Sequence, residues 1–174
     1  MMYKFIRVLL LSCIFSFFTQ FSFAQARMKA DKATEEWRYE IDVVQTGTQG
    51  TYLIKVWSYS KKPIVAIEQS KKNAVHGIVF KGFTGTSSIP GQKALATDGN
   101  AEEEMGAYFK PFFEDGGKYM KYVSLTSDGA VAAEDIMKVG KEYKVGVVVS
   151  VNVSALRKEL ETVGVIKALG AGFD

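Results

Sequence analysis

Valine stands at every second position from 145 to 153: Val145, Val147, Val149, Val151 and Val153. A repeat of two is the period of a pleated strand, and β-branched side chains favour that surface. Gly146, Val148, Ser150 and Asn152 fall on the other face. The segment Tyr143–Val153 therefore reads as a central strand, and the rest of the chain must supply its neighbours.

Two earlier stretches offer them. Trp37, Tyr39, Ile41 and Val43 alternate with Arg38, Glu40 and Asp42, as a strand with one apolar face does. Thr46-Gly47-Thr48-Gln49-Gly50 then reads as a hairpin loop. Tyr52–Tyr59 returns with Tyr52, Ile54 and Val56 on one face and Leu53, Lys55, Trp57 and Tyr59 on the other. Lys118–Thr126 alternates again, with Tyr119, Val123 and Leu125 set against Met120, Tyr122 and Ser124. Val131–Met137 reads as a short irregular strand.

Three helices are expected. The first covers residues 61–80 and lies across the sheet, with Ser60 as N-cap and Pro63 in the first turn. Ile64, Ile67, Ala74 and Ile78 would face the core, while Lys61, Glu68 and Lys72 face water. Ala66, Ala74 and Gly77 are small enough for close approach, and Gly82 is a stop signal. The second runs from Ala101 to Phe113, capped by Asp98 or Asn100, with a kink or restart at Pro111. The third starts at Ser154 as N-cap and carries Leu156, Leu160, Val163 and Lys167 on one side, with Gly164 weakening its middle. The expected fold class is α+β: an antiparallel sheet of about four strands with two to three helices packed mainly on one face, in the order ββααβ(β)βα.

Residues 1–26 read as a secretory signal peptide. Lys4 and Arg7 precede the apolar run from Val8 to Phe18, and Ala24-Gln25-Ala26 offers small residues for cleavage after Ala24 or Ala26. The run is short for a span and Thr19-Gln20 interrupts it, so no membrane span is expected in the mature chain. Cys13, the single cysteine, follows Leu10-Leu11-Ser12, but the apolar run continues past it, unlike a lipoprotein cleavage box. Its loss with the leader would remove every thiol, disulfide and cysteine-held metal. Residues 27–34 read as a loose lead-in, 35–169 as one domain and 170–174 as a tail. Removing Lys4 and Arg7 from 22 basic residues leaves 20 against 19 acidic ones. That near-balance speaks against nucleic acid as a partner.

No cofactor is expected. Residues 81–100 form a Gly/Ser/Thr-rich loop, yet Gly91-Gln92-Lys93-Ala94 lacks the hydroxyl of a phosphate-binding loop, and the loop follows a helix. A long loop of this kind can serve as a lid or a docking surface. Glu102, Glu103 and Glu104 are consecutive on a helix and point in different directions, which suits a helix N-terminus better than a metal. His76 is the only histidine; the sequence nominates no orienting partner or nucleophile for it, and a surface or capped position is expected. Glu114-Asp115, adjacent carboxylates beside glycines, is a possible acid–base pair, but Glu-Asp-Gly-Gly is more commonly a helix end and turn. Tyr108, Phe109, Phe112, Phe113, Tyr119 and Tyr122 cluster within fifteen residues. They either fill the core between a helix and the sheet or line a groove for a partner or an apolar ligand.

Lys55–Val79, a strand followed by a helix with Ala66, Glu68-Gln69-Ser70-Lys71-Lys72-Asn73 and Ala74, resembles the opening of the LPP20-like family, which includes the N-terminal domain of the flagellar assembly protein FlgT. The valine strand followed by Ser154-Ala155-Leu156-Arg157 and Leu160 resembles the family's end. The chain departs from the family in its 81–100 insertion and in the placement of its cysteine. The resemblance implies an exported α+β domain of envelope assemblies and no catalytic residues.

The leading expectation is thus an exported, non-enzymatic domain in the periplasm or outer envelope that works through a protein partner or self-association. The alternative is a periplasmic binding module for a small apolar or saccharide ligand, with a pocket lined by Phe112, Tyr119 or Tyr122. A hydrolytic enzyme built on Glu114 and Asp115 ranks third.

Overall fold

A computed structural model describes residues 37–48, 50–127 and 129–167. The expected leader, lead-in and tail lie outside these residues. The fold is α+β, as expected. Strands β1 (Tyr39–Thr46) and β2 (Thr51–Ser60) form the opening hairpin. Helix α1 (Pro63–His76) follows and widens into a π-helical turn over Gly77–Lys81. Short helices α2 (Ala101–Glu104) and α3 (Gly106–Phe112) come after the 81–100 loop. Next are a 3-10 turn (Lys118–Tyr122), β3 (Val123–Leu125), a second 3-10 turn (Ala133–Asp135), β4 (Ile136–Val139), β5 (Glu142–Asn152) and α4 (Val153–Thr162).

The sheet is antiparallel in the order β1-β2-β5, with β3 and β4 both pairing with the outer side of β5. The valine strand is central, as its pattern requires. Val145, Val147, Val149 and Val151 are buried on one face together with Ile54 and Val56 of β2. Each buried valine or isoleucine contributes about 1.5–3 kcal/mol through lost apolar exposure. Helix α1 lies on this face, and Gly77 permits the approach of Ile41 and Tyr39 from β1.

Several expectations are corrected. Lys62, not Ser60, occupies the N-cap of α1, and Ser60 Oγ instead accepts a long bond from the Lys62 N–H. The expected stripe holds at Ala74 and Ile78, both fully buried, and not at Ile64, which is 45% exposed, while Gln69, Ser70, Lys72 and Asn73 are buried as well. The sheet covers one side of the helix and the Lys118–Tyr122 turn lies against another, so polar residues mid-helix are enclosed. Asn73 Nδ2 donates to Ser58 Oγ at 2.9 Å and Ser70 Oγ to the Ile67 carbonyl at 2.6 Å. Gln69 Oε1 and Asn73 Oδ1 find no hydrogen-bond partner among the described residues.

The second helix breaks at Met105, between α2 and α3, and Pro111 sits inside α3 without ending it. Lys118–Tyr122 is a 3-10 turn rather than the start of a strand, and the strand over 131–137 is displaced to Ile136–Val139. Helix α4 is capped by Asn152, whose Oδ1 accepts from the Ala155 N–H at 2.9 Å, and not by Ser154. Gly164 does not weaken the helix interior; it ends the helix at φ +76, where the Gly164 and Val165 N–H groups reach the Glu161 and Leu160 carbonyls.

Candidate functional site

The face of the sheet turned away from α1 carries an interlocked set of charged and aromatic side chains. Register explains it. Glu40 of β1 pairs with Trp57 of β2, which pairs with Gly146 of β5; Tyr59 pairs with Lys144, which pairs with Met137 of β4. Side chains of one strand parity share a face, so all of these point outward together.

Each is held by its neighbours. Trp57 Nε1–H donates to Asp42 at 2.8 Å, and Tyr59 O–H donates to Glu40 at 2.6 Å. Lys144 Nζ donates to the other Glu40 oxygen at 2.7 Å. These donors hold the Glu40 carboxyl below its usual range, with Lys144 the larger cause and Tyr59 the second. Lys55 reaches Asp135 at 2.8 and 2.9 Å. Arg38 pairs with Glu142 and lies 4.6 Å from the Tyr59 ring. Lys55 and Lys144 approach the Trp57 ring at 5.4 and 5.2 Å. Glycine at 146 lets the indole lie against the sheet. The aromatic rings and charges of this surface are thus tied to one another by hydrogen bonds and ion pairs within the sheet.

A second cluster lies at the end of α1. His76, 2% exposed, stacks on Trp37 with ring centroids 3.5 Å apart. Its Nε2–H donates to the Glu102 carboxylate at 3.1 and 3.2 Å, leaving Nδ1 to accept the Tyr39 O–H at 2.7 Å. Lys81 lies 4.1 Å from the Tyr39 ring and donates to the Trp37 carbonyl at 3.2 Å. Trp37 has φ +44, a strained conformation for a bulky residue. The surface or capped position expected of His76 is therefore corrected: the ring is internal and has both an orienting carboxylate and a hydroxyl. Burial, followed by the Lys81 charge, lowers its pKa to about 3. Burial, followed by Glu102, raises the Tyr39 hydroxyl well above its ordinary value. A weak base beside a hydroxyl that keeps its proton is poorly matched to acid–base work at neutral pH. The arrangement instead fastens the start of β1 to α1 and α2.

The six aromatics singled out in the sequence come together, but inside the fold. Phe109, Phe112, Phe113, Tyr119 and Tyr122 are buried, and contacts among Phe112, Phe113, Tyr119 and Tyr122 join α3 to the 3-10 turn. Tyr108 alone is half-buried, and its hydroxyl donates to Glu159 of α4 at 3.2 Å. Of the two readings of this cluster, the burial of five rings fits the filling of the space beside α1 by adjacent rings on α3 and the following turn. Glu114 and Asp115 are both exposed, just beyond the end of α3. Part of the 81–100 loop is pinned. Phe83 and Gln92 bridge each other, and the Leu95 and Ala96 N–H groups donate to the Ile78 and Val79 carbonyls left free by the π-helical turn. Among the described residues, no three His, Cys, Asp or Glu side chains converge as a metal site requires. No helix among them is long and apolar enough to cross a membrane.

The outward alternation of Arg38, Glu40 and Asp42 against Lys55, Trp57 and Tyr59 was the signal for the open face. The pairing of these sets with Lys144 across β5 is a matter of register and has no local signature. The chain matches no protein-family model, no curated protein and no solved structure.

Proposed function

We propose that this chain is an exported, non-enzymatic domain that works by protein–protein contact in a cell-envelope assembly, and that the open face of the sheet makes that contact. The observation that carries the reading is the preorganised set Arg38, Glu40, Asp42, Trp57, Tyr59 and Lys144. Tryptophan, tyrosine and arginine are the side chains that dominate protein interfaces. Holding them in place before binding removes ordering entropy that association otherwise costs. The face mixes both signs of charge, which suits a protein surface better than a polyanion. The apolar leader-like start of the sequence and the resemblance to LPP20-like domains support the envelope setting.

The test is cross-linking in envelope fractions followed by capture of the chain, with wild type and Trp57→Ala side by side. A partner captured by wild type and lost with Trp57→Ala, while circular dichroism shows the variant still folded, is the expected result. No captured partner, or one retained equally by the variant, overturns the reading.

A further inference from the structure

Strand β4 pairs with β5 along one side only, and nothing described covers its other side. Ile136, Met137 and Val139 are 37%, 39% and 50% exposed. An edge strand that presents free backbone groups and apolar side chains is a template for another strand. Proteins commonly blunt such edges with charge or a bulge. The opposite edge, β1, does both, with Glu40 and Asp42 outward and a register break between Val43 and Gln45. The β4 edge carries a single inserted charge, Lys138.

We propose that β4 is a self-association strand, which pairs antiparallel with β4 of a second copy and continues the sheet across a two-fold axis. The charge pattern selects this occupant. The segment is acidic at its start, with Glu134, and basic at its end, with Lys138 and Lys141. All three are exposed and have no ion-pair partner among the described residues. This contrasts with Arg38, Glu40, Lys55, Asp135, Glu142 and Lys144 on the adjoining face, each of which is paired. An antiparallel copy brings the acidic end of one strand to the basic end of the other.

The register follows from the same charges. With Lys138 on the axis, two lysines would stand directly opposite, which is unfavourable. With Met137 on the axis, the two methionines meet and Lys138 faces Ile136 of the second copy. Glu134 of that copy, in the 3-10 turn two residues before its Ile136, is then brought near Lys138. Two such Lys138–Glu134 contacts arise by symmetry, because a two-fold interface is self-complementary. Met137 borders the open face, whereas Lys138, the next residue along β4, lies on the other side of the strand, so the charge variants at Glu134 and Lys138 test this inference separately from the proposed function.

The experiment is multi-angle light scattering on protein purified from cells expressing the 174-residue sequence, with variants chosen by symmetry. Wild type is expected to elute as a dimer. Met137→Lys, Glu134→Lys and Lys138→Glu are each expected to shift it to monomer. The double variant Glu134→Lys/Lys138→Glu restores the opposite-charge contacts and is expected to recover the dimer. All three positions are exposed, and circular dichroism confirms the fold of each variant. A monomeric wild type overturns the proposal, as does a dimer that none of the single changes disturbs. Partner capture by Trp57→Ala is read separately and reports only on the open face.

Discussion

Trp57 lies flat over Gly146, its neighbour across β2 and β5, and a methyl group at 146 would sit 2.7 Å from the indole ring. The glycine therefore sets the height at which the indole meets Asp42 and the ammonium groups of Lys55 and Lys144. Gly146→Ala is expected to lift the ring, break the Trp57–Asp42 hydrogen bond and destabilise the fold by about 1–3 kcal/mol through overpacking. The indole N–H resonance of Trp57 reports the bond, and urea denaturation reports the stability. An unmoved resonance in the variant would mean that the ring does not rest on residue 146.

The C-terminal helix offers a smaller effect of known sign. The Asn152 side chain accepts the Ala155 N–H at 2.9 Å at the junction where β5 becomes α4. Asn152→Ala removes that cap and is expected to cost about 1 kcal/mol. Ser154→Ala is expected to be near neutral, because its hydroxyl is not the cap. Thermal melts of the two variants decide between the capping positions: equal losses would contradict the assignment.

What was legible in the sequence was the part set by short-range period. Val145 to Val151 alternate, Ile54 and Val56 alternate, and the sheet order follows from a hairpin plus one central strand. The α1 face was misread because its burial is decided by tertiary enclosure. Gln69, Ser70, Lys72 and Asn73 look like a solvated stretch until the sheet and the Lys118–Tyr122 turn close over them. The ends of α4 were misread because Asn152 and Ser154 are equally good caps in isolation, and Gly164 can interrupt a helix or end one. His76 gained its partners from residues 37 and 26 positions away in sequence, Tyr39 and Glu102, which no local pattern links to it. The aromatic run was legible as a cluster, and its burial follows from the crowding of Phe109, Phe112 and Phe113 on one short helix and its end.

His76 makes the fold sensitive to acid. Its pKa is lowered from the ordinary 6.5 to about 3, first by burial and then by Lys81. Between these values the unfolded chain binds a proton that the folded chain refuses. Stability from this group is complete above pH 6.5 and declines as the pH falls toward 3, by at most about 1.4 kcal/mol per unit. Glu102, whose carboxyl is raised by burial, works in the opposite direction but is partly exposed. His76→Phe keeps a ring for Trp37 to stack on and leaves Tyr39 and Glu102 without their partner. It is expected to cost about 2 kcal/mol at pH 7 and to flatten the acid limb. Urea denaturation from pH 7 to pH 4 should bring the two proteins' stabilities together; parallel curves would remove His76 from the acid response.

Lys72 carries the reverse opportunity, a charge whose burial costs stability. It is 4% exposed, and its pKa is lowered from 10.5 to about 8, with burial the dominant cause and Asp115 and Glu114 opposing it. Its ammonium also lies 5.8 Å from the Tyr119 ring. Below pH 8 both the folded and the unfolded chain hold the proton, so the desolvation cost is present in full. Between pH 8 and 10.5 only the unfolded chain retains it, and stability from this group rises with pH. Lys72→Met fills the same space without the charge and is expected to be more stable than wild type by about 1–3 kcal/mol at pH 7. That advantage shrinks toward pH 10, since the wild-type lysine is by then largely neutral in the fold. Paired denaturant titrations at pH 7 and pH 10 measure both quantities. If Lys72→Met were the less stable protein at pH 7, the Tyr119 ring and the two carboxylates would outweigh the desolvation, and the lysine would be a stabilising contact rather than a cost.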